Sequence, residues 1–170
     1  MDIVDAILHD HADQRRLFAA LDEARGDIDS LGKIFDRLRN HLESHAQAEE
    51  NFFYPQLLRD GEGAADSDSA EETTEDAIDD HNEIAEAMEA AAKLTVGSQE
   101  WWDQVDEANV RNSKHLSEEE RQGLPDFRRT VDAELRRTLG VRYLAFQSAH
   151  DADYTRRKND VDSYIEENAA

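Results

Sequence analysis

Part of this chain is written twice. Asp10 and His11 recur as Asp80 and His81, and His45, Glu49 and Glu50 recur as His115, Glu119 and Glu120. Pro55 recurs as Pro125, and every pair is offset by 70 positions. One spacing held across so many positions marks a duplicated unit, and the apolar pattern inside each copy is helical. Val4, Ile7, Leu8, His11, Phe18 and Leu21 recur at three-, four- and seven-residue intervals, the stripe of an amphipathic helix. Gly26 and Asp27 end that segment, and Asp29 or Ser30 stands ready to cap the next. Leu31, Ile34, Leu38, Leu42, His45, Glu49 and Phe52 then share one side of a second helix, which weakens at Pro55.

Residues 60–72, rich in glycine, serine and acid, read as a linker between the copies. In the second copy Ala77, Ile78, His81, Ile84, Ala85 and Met88 line a third helix, and Gly97 marks the turn. Trp101, Val105, Ala108, His115 and Glu119 line a fourth, which ends near Gly123, Leu124 and Pro125. The expected fold is all-α, an antiparallel up-down four-helix bundle over residues 1–125 built as a duplicated helical hairpin. Over residues 126–170, Phe127, Val131, Leu135, Leu139, Tyr143, Leu144 and Phe146 predict a C-terminal helical extension broken near Gly140. A last segment carries Tyr154, Val161, Tyr164 and Ile165 and frays after Glu166. The extension either closes a monomer or serves a weak homodimer.

Composition narrows the function classes. With 19 basic and 41 acidic residues the formal charge is −22, which repels nucleic acid and anionic membranes. No cysteine is present, so thiolate metal sites, disulfides and cysteine nucleophiles are excluded. No basic stretch followed by an apolar run opens the chain, and no apolar run is long enough to span a bilayer. The expectation is a soluble, cytoplasmic protein without membrane or nucleic-acid partners.

The chemistry lies in the repeated polar residues. His45 and Glu49 are four apart, as are His115 and Glu119, a spacing that stacks side chains one turn apart on one helix face. His11 lies 15 residues before Gly26 and His45 lies 19 after it; His81 lies 16 before Gly97 and His115 lies 18 after it. At about 1.5 Å rise per residue, two antiparallel hairpins bring all four histidines to a similar height. A lone histidine on an apolar face is commonly a hydrogen-bonded core residue, but six converging groups are a different matter. Two facing buried carboxylates repel, and two bound cations joined by an oxo or hydroxo bridge remove that penalty. Imidazole and carboxylate without thiolate suit iron, manganese or zinc and disfavour calcium or magnesium. Glu50 and Glu120, one residue along, are rotated by about 100° and are assigned to supporting or surface positions.

These residues resemble the metal-binding pattern of the hemerythrin-like, or HHE cation-binding, family over roughly residues 1–125, and the chain is similar to its mycobacterial members. The resemblance assigns the metal ligands to His11, His45, Glu49, His81, His115 and Glu119. It implies two iron ions with a bridging oxo or hydroxo group, and reactivity toward dioxygen, hydrogen peroxide or nitric oxide. The family's oxygen carriers have two histidines one turn apart on the third helix. Here the residues four either side of His81 are Ala77 and Ala85, which cannot ligate. The last carboxylate is a glutamate four residues after its histidine, where the carriers have an aspartate five after. The expected function is therefore redox chemistry with hydrogen peroxide or nitric oxide, catalase- or peroxidase-like. The alternative is an iron or dioxygen binding or sensing protein without turnover, and a third reading is a structural zinc clamp. Tyr54 and His41 stand close enough in sequence to ligate a metal or to support a ligand.

Overall fold

The computed structural model describes residues 1–63, 69–150 and 158–169. Residues 64–68 of the expected linker, and Tyr154, lie outside the described residues. Four long helices form the bundle: α1 (Ile3–Glu23), α2 (Ile28–Phe52), α4 (Ala70–Ala92) and α5 (Gln99–Arg121). Between and after them come α3 (Tyr54–Asp60), α6 (Gly123–Thr130), α7 (Ala133–His150) and α8 (Val161–Asn168).

The helix starts are set by short polar side chains that satisfy the first free backbone N–H groups. Asp2 accepts from the Val4 N–H, and Ser98 from that of Trp101. Ser69 and Glu72 form a reciprocal capping box on α4. The cap of α2 is Asp27, which accepts from the Ser30 N–H, and not Asp29 or Ser30 as the sequence suggested. The hairpin turns pass through Gly26 and Gly97 at φ +98° and +81°, where a side chain would be strained. Helix α2 stops at Phe53, and α5 stops at Gln122. In each copy the repeated proline then lies in the first turn of the short helix that follows, where its missing N–H costs little.

Helix α1 pairs with α2 and α4 with α5, and α2–α4 and α1–α5 contacts close the bundle. Two apolar layers result. Leu17, Leu21, Leu31, Phe35, Leu38, Met88 and Trp101 fill the end nearest the hairpin turns. Ile3, Ile7, Phe53, Leu57, Ile78 and Phe127 fill the other. Each fully buried side chain of this kind contributes about 1.5–3 kcal/mol, so the two layers hold the helices while the plane between them is polar. Leu8 departs from its expected place: it is 36% exposed, on the flank of the α1 stripe.

The C-terminal helices pack on the bundle of their own chain, α7 against α1 and α2, and α8 against α4 and α3. The expected break at Gly140 is absent, since α7 runs through it. Gly140 is there for closeness: a Cβ would lie 2.5 Å from the Met1 carbonyl oxygen and 2.9 Å from the Ile3 nitrogen. No helix among the described residues is long and apolar enough to cross a membrane.

Candidate metal centre

In the polar plane, α1 presents His11, α2 His45 and Glu49, α4 His81, and α5 His115 and Glu119, none more than 7% exposed. Glu49 is the hub. Its Oε1 lies 3.2 Å from His45 Nε2 and 3.9 Å from His11 Nε2, and its Oε2 lies 3.3 Å from His81 Nε2. Nε2 of His81 is in turn 3.2 Å from Nε2 of His115. Two groups able to hold a cation follow, His11–His45–Glu49 and Glu49–His81–His115, each with its donor atoms within 4.8 Å of one another. Glu119 completes the plane, with Oε2 3.0 Å from His11 Nε2.

The donor set fits metal ions. Nε2 of His11 and His45, both Glu49 oxygens and Oε2 of Glu119 are buried and make no hydrogen bond. Buried polar atoms are ordinarily paired, and five buried nitrogen and oxygen atoms that converge without hydrogen-bond partners suit a cation. In the polypeptide alone their electrostatics conflict. Burial and the nearby Glu119 push the Glu49 carboxyl up, whereas Glu119, despite burial, is held down by the adjacent His11 imidazole. Burial works against the His81 imidazolium, yet Glu49 and Glu50 raise its pKa to about 10. Burial and the charge of His81 push His115 well below its usual range.

The outer nitrogens are anchored from other helices. His11 Nδ1 lies 2.9 Å from Glu120 Oε1, and His81 Nδ1 lies 2.9 Å from Glu50 Oε1. Arg15 and Asn159 hold those carboxylates in turn. His45 Nδ1 lies 2.8 Å from the Tyr143 hydroxyl and 3.2 Å from Asp10 Oδ2. Such contacts fix the tautomer that turns Nε2 toward the plane. Tyr54, fully buried, donates to Glu119 Oε1 at 2.7 Å, and burial next to two carboxylates keeps it a neutral phenol. His41 stands in neither cluster; its Nε2 is 3.4 Å from the Asp10 carbonyl oxygen. Asp10 and Tyr143, the partners of His45, are not among the site residues expected from the sequence. Asp10 carried a signal, its recurrence as Asp80; Tyr143 lies beyond the repeat and carried none.

Against the histidines lies a cavity of about 20 Å³ bounded by Leu42, His45, His81, Ala85, Met88 and His115. It is large enough for one water-sized molecule.

A helical bundle with two histidine–carboxylate clusters sharing a glutamate is a known architecture for paired metal ions. The chain belongs to the hemerythrin HHE cation binding domain family, which matches residues 2–127. No curated protein and no solved structure matched the chain.

Proposed function

We propose that this chain is an iron- and dioxygen-binding protein. Two iron ions, joined by a bridging oxo or hydroxo group, would be held by His11, His45 and Glu49 on one side and His81, His115 and Glu49 on the other. Glu119, 3.0 Å from His11, would supply a second carboxylate. The observation that carries this reading is Glu49, whose two oxygens face histidines of opposite hairpins. In this reading residues 1–125 are the metal-binding bundle and residues 126–170 an extension that braces it.

Bound iron supplies one-electron exchange and an open position for a small oxygen species. The chain's own groups do the rest. Glu50 and Glu120 accept from the outer N–H of His81 and His11 and hold both imidazoles turned inward. Tyr54 donates to Glu119 and fixes the carboxylate's plane without giving up its proton. The apolar layers above and below limit water, and Leu42, Ala85 and Met88 shape a space for one small molecule beside the histidines.

The reduced protein should change its near-ultraviolet and visible absorption on exposure to dioxygen and regain its starting spectrum under argon. A spectrum that never responds to dioxygen overturns the binding reading. One feature favours a second reading, redox turnover of hydrogen peroxide or nitric oxide. Ala77 and Ala85 flank His81, and Ala85 borders the cavity, so the space where a further histidine would stand is open. Dioxygen release from peroxide above the rate of free iron, lost in His81→Ala with the fold retained, supports turnover. A rate equal to free iron rules it out.

A further inference from the structure

The two halves of the site are built from one repeat, yet His45 and His115 are anchored differently. At 70 residues' offset, Asp10 beside His45 corresponds to Asp80 beside His115. In the first half, three donors converge on Asp10 Oδ2: the Tyr143 hydroxyl at 2.7 Å, Gln147 Nε2 at 2.6 Å and His45 Nδ1 at 3.2 Å. In the second half, Asp80 Oδ2 is 4.0 Å from His115 Nδ1, beyond hydrogen-bond reach, and 3.4 Å from the Lys114 ammonium. Among the described residues no hydroxyl is hydrogen-bonded to His115.

The difference comes from α7, a helix outside the duplicated unit. Gly140, Tyr143 and Gln147 recur at three- and four-residue spacing, so they share the face that α7 turns to α1. Gly140 permits the close approach, Tyr143 enters fully buried one turn later, and Gln147 closes over Asp10 one turn after that. Because the Tyr143 hydroxyl donates to Asp10, its oxygen is free to accept from His45 Nδ1–H. That chain of donors holds His45 with Nε2 toward the plane.

We propose that Tyr143 is a positioning residue that makes the two metal positions unequal: it locks His45 directly and together with Asp10, while among the described residues His115 has no such anchor. The inference rests on the two-iron reading and adds that the C-terminal extension tunes one iron and not the other. Loss of the hydroxyl alters the ligand field at the His45 position and weakens metal there by about ten-fold, the lower end of what outer partners of metal-bound histidines contribute.

Mössbauer spectra of the full-length protein loaded with iron-57 test this. The wild type should give two distinct quadrupole doublets. Tyr143→Phe, which keeps the ring, should move one doublet and leave the other in place. Asp10→Asn should move the same doublet, and Asp80→Asn should move neither; this pair decides the matter if Tyr143→Phe does not fold. Two doublets that shift equally, or an Asp80→Asn effect equal to that of Asp10→Asn, overturn the inference. A wild type that holds no iron overturns the two-iron reading instead, and a single wild-type doublet overturns only the inequality.

Discussion

Glu120 supports a histidine of the opposite hairpin: its Oε1 lies 2.9 Å from Nδ1 of His11. Seventy residues earlier, Glu50 makes the same 2.9 Å contact with His81, so each hairpin orients one histidine of the other. The crossing couples assembly of the bundle to assembly of the site. Glu50→Ala and Glu120→Ala should each lower iron affinity by roughly 10–100-fold, the usual effect of losing an outer partner of a metal-bound histidine. Competition with a chelator of known affinity measures this. Unchanged affinity in both variants would show that the contacts do not orient the ligands.

Glu49 belongs to both clusters, whereas each histidine belongs to one. Glu49→Ala should therefore reduce bound iron at both positions together. His115→Ala should spare the position beside His11 and His45. Metal content after gel filtration separates the two outcomes. Equal retention in the two variants would show that Glu49 is not the common ligand.

Removing metal should destabilise the fold, because the unpartnered Glu49 and Glu119 oxygens are left facing each other in a buried plane. A ligand at a thousand times its dissociation constant stabilises the native state by about 4 kcal/mol. At roughly 2–4 °C per kcal/mol for a domain of this size, chelation should lower the melting temperature by about 8–16 °C. Scanning calorimetry on loaded and chelated protein reads the shift. Ferrous iron should restore it and magnesium should not, since imidazole is a poor magnesium ligand.

How much of this was legible beforehand depends on which residues the repeat contained. The offset of 70 brings His11, His45, Glu49, His81, His115 and Glu119 to a similar height, because helical rise and face follow from spacing alone. What spacing does not encode is which neighbour an adjacent residue meets. Asp10 sits beside His11 in sequence but is turned by about 100° on the helix, and reaches His45 and Tyr143 instead. Tyr143 lies on α7, whose docking is set by the Gly140 contact with the chain's first residues, a tertiary fact with no local signal. The expected break at Gly140 failed for the same reason: the glycine serves a close approach and not a bend. Its spacing places Leu8 in the α1 stripe, yet the residue lies on the stripe's flank and faces out.

Ala85 offers a test of the cavity that leaves every candidate ligand intact. Leucine there should fill most of a space of about 20 Å³ beside His81 and His115. Azide, a small anion that binds open iron positions, should bind Ala85→Leu at least ten-fold more weakly, a difference of about 1.4 kcal/mol. Iron content should not change. Azide titration followed optically gives the answer, and wild-type affinity would mean that small molecules reach the site by another route.

A pair of iron ions neutralises the buried plane of histidines and glutamates if elemental analysis of protein purified from iron-replete cells, without chelator, finds two iron atoms per chain. An oxo-to-iron charge-transfer band in the near-ultraviolet should accompany them. Stoichiometric zinc in place of iron, or no stoichiometric transition metal, would contradict the two-iron reading.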